Sequence, residues 1–193
     1  MAVPKLTTDR LTLREIKSKD IFAHTELFSD KETMKLFGGP VITNDLEIKD
    51  VIENKRREFE NGTAIFWVIT LTEEKEFIGF IRLMSYSSYY FDASFSVMGE
   101  MKNSSEFLQY IDKNGWEIDY ALLKDYREKG IMTEAINAVL HYCNISGISP
   151  LYAKVNSLSN SATVGLLKKS GFIDHLPQAN QDGGLGMIYR WTI

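Results

Sequence analysis

The sequence predicts a mixed α/β domain, and three observations support this class. Residues 64–71 and 77–84 are two apolar strand patterns joined by a charged turn, which predicts a β-hairpin. The second half of the chain alternates strand and helix patterns, as βαβ units do. No linker-like composition and no internal repeat divides the chain, so we expect a single domain over 1–193. A hairpin beside βαβ units indicates a central, twisted mixed sheet of about seven strands with about four flanking helices.

The first half of the chain contains a strand and two helices before the hairpin. Residues 11–16 begin with apolar and polar side chains in alternation, which is typical of a half-buried strand. The polar residues at 18–20 favour a helix cap, and a short helix pattern follows them. Helical spacing of apolar residues then extends from 44 to about 60, and Asn61-Gly62 ends that helix.

Residues 85–115 form an insertion between the hairpin and the next strand. Aromatic side chains crowd its first half, and Ser104 or Ser105 can cap a short helix that ends near Asp112. A stretch this long between strands is often a functional loop, here a possible wall for a substrate. The alternative is an extra hairpin and helix that cover a sheet edge.

The remaining elements are strands and helices in alternation. We predict strands at 116–123, at 151–155, from 172 onwards and at 185–193, with helices at 133–145 and 160–170.

Composition excludes several classes of function. The formal charge of −4 argues against a broad nucleic-acid surface but permits a small basic pocket. A single Cys excludes an internal disulfide and a CxxC zinc cluster, and the three His lack HExxH spacing, so we expect no metal. The chain opens without an apolar signal core, and no stretch approaches the ~20 apolar residues of a membrane span. We therefore expect a soluble, cytoplasmic protein with no membrane partner.

The turn 127–132 is the first candidate site. It joins a strand to a helix and contains Gly130, so it can aim the free amides of the helix start at an anion. Arg127 and Lys129 add positive charge for a pyrophosphate. The alternative is an ordinary helix start in which glycine only satisfies the turn.

A second block further along the chain carries a family resemblance. The order strand–RxxGxx–TEA helix, then strand–NxxT–xxLLKKSGF, resembles the GNAT superfamily of acetyl-CoA-dependent N-acetyltransferases. The opening LTTDRLTLREIKSKD, with MKLFGGP after it, resembles the Rim-type branch, which includes ribosomal-protein N-terminal acetyltransferases. The resemblance covers nearly the whole chain except 85–115, and it implies one acetyltransferase domain with a GNAT-like fold.

The resemblance also implies which residues hold acetyl-CoA. In such enzymes a central strand splays from its neighbour, and the pantetheine arm lies in the gap. Backbone groups of Ala121, Leu122 and Leu123 would pair with that arm. Asn160 would bond to the pantetheine region. The turn that would hold the pyrophosphate comprises Arg127, Glu128, Lys129, Gly130, Ile131, Met132 and the neighbouring Thr133.

The chain departs from the family pattern at two positions. Met132 stands where relatives often have a small residue, so we expect a weaker fit of the pyrophosphate. Leu167 stands where many relatives have a Tyr that protonates the departing thiolate. Thr163 can donate a hydrogen bond to the sulfur instead, or it can simply satisfy the start of its own helix.

Two carboxylates are candidates for the catalytic base. Glu117 and Asp119 alternate along a predicted strand, so both point to one face beside the gap, where they can recruit and deprotonate a cationic amine. The alternative is that both face solvent. Glu134 is interpreted as a structural partner of the helix start, and Cys143 as a buried free thiol.

The sequence thus predicts transfer of an acetyl group from acetyl-CoA to a primary amine by direct attack in a ternary complex. The acceptor is a small molecule or a protein N-terminus, and a homodimer is possible. Two alternatives remain open: a non-catalytic acyl-CoA-binding or sensing protein of the same fold, and a structural interaction module built around the aromatic insertion.

Overall fold

A single eight-stranded sheet forms the centre of the computed structural model, which describes residues 2–37, 41, 45–89, 112–179 and 185–193. The strand order is β1-β2-β3-β4-β5-β6-β8-β7, and every neighbouring pair is antiparallel except β5 with β6. The strands are β1 (Leu6–Thr7), β2 (Leu11–Arg14), β3 (Ala64–Leu71), β4 (Phe77–Ser85), β5 (Trp116–Leu122), β6 (Leu151–Val155), β7 (Ile173–Ala179) and β8 (Leu185–Trp191). The predicted mixed α/β class is confirmed.

The helices cover both faces of this sheet. They are α1 (Ile21–Ser29), α2 (Lys31–Phe37), α3 (Asp45–Glu60), α4 (Tyr86–Tyr89), α5 (Ile131–Ser146) and α6 (Ser161–Lys169). Within the described ranges, none of them is both long and apolar enough to cross a membrane.

Three short elements, β1, α2 and α4, were not expected from the sequence. Helix α2 begins after Asp30, whose carboxylate accepts a hydrogen bond from the Thr33 amide at 2.9 Å, so Asp30 acts as a helix cap. Strand β1 is only two residues long and pairs with β2, too short to give an alternation pattern. The predicted helix that begins at Ser104 or Ser105 lies outside the described residues, apart from Asp112 at its end.

The two faces of the sheet have separate hydrophobic cores. The larger core packs α5 and α6 against strands β2 to β6, and it contains Ile118 and Leu122 of β5. The smaller core packs α1 and α3 against β3 and β4, and Ala121 lies at its edge. Since side chains alternate along a strand, the odd-numbered residues of β5 face α1 and α3.

His24 of α1 is fully buried in the smaller core. Its ring stacks on Phe28 at 4.3 Å between centroids, with Phe66 and Phe77 at about 6 Å. Neither ring nitrogen has a hydrogen-bond partner among the residues described. Burial, aided by the charge of Lys55, lowers the pKa of His24 to about 4, so the imidazole is neutral at pH 7.

His24 is predicted to make the fold acid-sensitive. The unfolded chain takes up this proton below pH 6.5 and the folded chain only near pH 4, so stability falls as pH drops between these values. The loss at pH 5 is about 2 kcal/mol. Urea unfolding at pH 7 and pH 5 measures it. His24→Phe should remove this part of the pH dependence, whereas His141→Gln, at an exposed position of α5, should not. Equal pH dependence of His24→Phe and the unaltered protein would contradict the assignment.

Candidate functional site

The sheet opens between β5 and β6, and this gap is the core of the candidate site. The two strands pair only at Trp116↔Leu151 and Glu117↔Tyr152. β5 nevertheless stays paired with β4 as far as Leu122, and β6 stays paired with β8. The two parallel strands therefore separate after Glu117, as the splayed sheet predicted from the sequence requires.

The register decides which backbone groups of β5 face the gap. The Trp116 amide donates to the Pro150 carbonyl on the β6 side, and the Leu123 amide donates to the Ile78 carbonyl on the β4 side, both at 2.9 Å. Because successive amides alternate in direction, the backbone groups of Tyr120 and Leu122 face the gap. Of the three backbone positions predicted from the sequence, Leu122 faces the gap, while Ala121 and Leu123 direct theirs towards β4.

The turn after β5 places the start of α5 at the open end of the gap. Gly130 has a φ of 73° and acts as the cap residue of α5, and Glu128 is also left-handed with a φ of 61°. α5 begins at Ile131, two residues earlier than predicted, because Ile131 and Met132 are buried in the larger core. The Met132 side chain thus points into the core, and the amides of 131–133 have no partner within the helix.

The charges around this turn differ from those expected. Arg127 is turned away from the helix start: its Nε donates to the Leu122 carbonyl at 3.1 Å, and its Nη2 donates to Thr33 Oγ1. Arg10, which sequence reasoning missed, donates to the Lys129 carbonyl at 3.1 Å and pairs with Glu134 at 2.6 Å. Arg10 therefore supplies a cation beside the turn, together with Lys129.

Glu134 has a structural role at this turn. Burial disfavours its ionised form, but hydrogen bonds from Thr8 and Arg10 outweigh that effect and lower the pKa of the carboxyl. The carboxylate thus ties the N-terminal strands to the first turn of α5, as interpreted from the sequence.

Glu117 and Asp119 both lie on the face that carries α1 and α3, and neither is turned to solvent. Glu117 is only 4% exposed; it accepts a hydrogen bond from the Tyr86 hydroxyl at 2.9 Å and pairs with Lys154 Nζ at 2.7 Å. Asp119 pairs with Arg82, its cross-strand partner on β4. Each candidate base is therefore matched by a cation, which the sequence alone does not show because the pairs join different strands.

Lys55 adds a further cation near Arg82. It pairs with Glu58 at 3.0 Å, and burial together with the Arg82 charge lowers the pKa of Lys55 to about 8. Among the described residues, the face opposite α5 thus holds three largely buried cations, each paired with a carboxylate.

The second block of the sequence forms the start of α6. The Asn160 side-chain oxygen accepts a hydrogen bond from the Thr163 amide at 3.2 Å, so Asn160 caps the helix and retains its amide group as a donor. Thr163 lies in the first turn and Leu167 is fully buried in the larger core.

The described residues provide neither a reactive thiol nor a group of metal ligands. Cys143 is buried in α5, where burial raises the pKa of its thiol to about 12, so it stays protonated and is no nucleophile. The described parts of the chain bring together no group of His, Cys, Asp and Glu side chains that could hold a metal ion.

A parallel pair of strands that separates beside a glycine-capped helix start is the arrangement that the resemblance to the GNAT superfamily implies. A family model for the acetyltransferase (GNAT) domain matches residues 10–173. The chain belongs to this family, and it is an acetyltransferase.

Similar proteins agree with this membership. The uncharacterized N-acetyltransferase YoaA of Bacillus subtilis is 26% identical over 170 residues, which cover 88% of this chain and 82% of YoaA. RimL, a ribosomal alpha-N-protein acetyltransferase solved with coenzyme A, has a TM-score of 0.72 at 15% identity, covering 98% of both chains. The microcin self-immunity acetyltransferase MccE, solved with acetyl-CoA and AMP, has a TM-score of 0.71 at 18% identity, covering 96% of this chain and 94% of MccE. These two likenesses show the fold.

We predict that Lys154→Met destabilises the protein by about 3 kcal/mol, because it leaves the Glu117 carboxylate buried without its cation. Adding Glu117→Gln should recover part of that loss. Lys168→Met is the matched control, since its pair with Asp174 is half exposed on both sides, and should cost less than about 1 kcal/mol. Urea unfolding measures all three. A loss for Lys154→Met no larger than the control would show that the buried pair does not constrain the fold.

Proposed function

We propose that the protein transfers the acetyl group of acetyl-CoA to a primary amine by direct attack in a ternary complex. The observation that carries the proposal is the gap between β5 and β6, which opens directly at the start of α5. The structure of RimL with coenzyme A and that of MccE with acetyl-CoA support this choice of acetyl donor.

The dimensions of the gap suit an extended pantetheine arm. The five residues 118–122 of β5 lie beyond the last pair with β6, and at about 3.3 Å per residue they span about 16 Å. The C=O group of Tyr120 and the N–H group of Leu122 can bond to the amides of the arm, as an added strand would.

The start of α5 suits the pyrophosphate. A side chain at Gly130 would meet only Arg10 Nη2, at 3.6 Å from its Cβ, and the amides of 131–133 point their donors outward at the positive end of the helix dipole. Lys129 and Arg10 supply the cations, while Arg127 braces the turn. Asn160 lies at the start of the next helix, where its free amide group can bond to the arm.

The chemistry requires a neutral amine and a donor for the oxyanion. Glu117 is the base that we favour, because it lies where the gap closes and Tyr86 holds its carboxylate in place. An incoming ammonium would compete with Lys154 for this carboxylate and pass its proton there. The Tyr120 amide, which lies nearer the closed end of the gap than the Leu122 amide, is the donor that we assign to the tetrahedral oxyanion. Asp119 forms an ion pair with Arg82 and so contributes to the electrostatic potential on this face.

The acceptor is a small-molecule amine or a protein N-terminus.

Gly130→Glu tests the site of the pyrophosphate. The new carboxylate would repel the phosphates, so acetyl-CoA should bind at least about tenfold more weakly by calorimetry. Gly147→Glu is the matched control, because Gly147 is also left-handed and open but caps the other end of α5. Equal losses in the two variants would reflect backbone strain alone and would exclude the assignment.

Glu117→Gln tests the base. We expect kcat to fall by about 100-fold while acetyl-CoA affinity stays within about twofold, because the residue acts on the amine rather than on the donor. An acceptor screen that follows the release of free CoA identifies the substrate first. Glu76→Gln, in the exposed turn after β3, controls for the loss of a charge. Full activity of Glu117→Gln would exclude Glu117 as the base.

A further inference from the structure

Arg127 joins the open end of the gap to helix α2. Its Nε donates to the Leu122 carbonyl at 3.1 Å, and its Nη2 donates to Thr33 Oγ1 in the first turn of α2. The Thr33 hydroxyl donates in turn to the Asp30 carboxylate, which lies 3.8 Å from Arg127 Nη2. Arg127, Thr33 and Asp30 therefore form a chain of polar contacts, which we call the α2 clasp.

Helix α2 has few other anchors among the residues that the structure describes. Of the side chains at 31–35, only those of Thr33 and Met34 are buried. A second ion pair to the same turn, Lys124 with Glu32 at 3.4 Å, is exposed on both sides and contributes little to stability. With seven residues, α2 is too short to be stable through its own backbone hydrogen bonds. Its position against the end of β5 therefore depends on the clasp.

The clasp consists of contacts that a stronger anion can displace. The Arg127 and Asp30 side chains are 27% and 41% exposed, and an ion pair so open to water is weak. Arg127 precedes Gly130 by three residues, in the same turn that presents the free amides of 131–133. A pyrophosphate on those amides attracts a guanidinium more strongly than one exposed carboxylate does, and it can accept two parallel N–H bonds.

We propose that binding of acetyl-CoA moves the Arg127 guanidinium from Thr33 and Asp30 to the pyrophosphate and so releases α2. This inference rests on the proposed function. Helix α2 directly follows α1, which covers the face of the sheet that carries Glu117. The clasp thus links the donor end of the gap to the side of the sheet where the acceptor reacts.

The linkage between the clasp and the ligand works in both directions. If the ligand breaks the clasp, a substitution that weakens the clasp beforehand strengthens ligand binding. Thr33→Val keeps the shape of a buried side chain and removes the hydroxyl that Arg127 contacts, while Arg127 stays available to the phosphates. By calorimetry, Thr33→Val should bind acetyl-CoA roughly threefold more tightly than the unaltered protein. Thr25→Val is the matched control, since the Thr25 hydroxyl bonds only to its own helix α1, and it should leave the affinity unchanged.

Hydrogen exchange of the full chain measures the release of α2 directly. Acetyl-CoA should speed the exchange of the amides of 34–37 by roughly threefold or more. Arg127→Met should show this faster exchange without ligand. Lys124→Met removes only the exposed pair with Glu32, and its amides should exchange as those of the unaltered protein do.

The two measurements separate this inference from the proposed function. If acetyl-CoA binds but the exchange of α2 is unchanged or slower, or if Thr33→Val binds it no more tightly, the inference is overturned and the proposed function stands. If the unaltered protein gives no binding heat with acetyl-CoA, the proposed function fails and this inference with it.

Discussion

The pairing between β5 and β6 stops after two residue pairs, and most of the site depends on that interruption. β5 keeps its ladder with β4 as far as Leu122, and β6 keeps its ladder with β8 as far as Val155. Each strand is held on its outer side, so the sheet does not need contacts across the gap to keep its shape. Backbone donors supported in this way require no rearrangement when a ligand arrives, which is the basis of preorganised recognition.

At the closed end of the gap, the same charged side chains have a structural role and, in the proposed reaction, a chemical role. Glu117 of β5 and Lys154 of β6 form an ion pair across the two strands where their ladder ends. Removing either partner leaves a buried charge, so the pair resists change even though its net contribution to stability is small. An acceptor therefore meets an organised network of charges instead of an isolated carboxylate.

The sequence was sufficient for features that local residues determine. The hairpin, the glycine at the start of α5 and the helix that begins near Asn160 all follow from short patterns, and the structure contains them at or near the predicted positions. Contacts between distant parts of the chain could not be predicted from the sequence. The register that turns the Ala121 backbone towards β4, and the cations paired with Glu117 and Asp119, depend on which strands become neighbours.

Arg10 illustrates what such distant contacts mean for the folding of the chain. Its backbone and side chain reach Glu134 across 124 residues of sequence, and its guanidinium also holds the Lys129 carbonyl in the turn. Contacts of such long range require a large loop of the chain to close, which slows their formation. A nascent chain therefore cannot complete this turn before residue 134 has been synthesised and has docked beside the N-terminal strands, and under the proposed function it cannot hold the pyrophosphate until then. Ligand occupancy would in turn favour the docked state of the N-terminal strands.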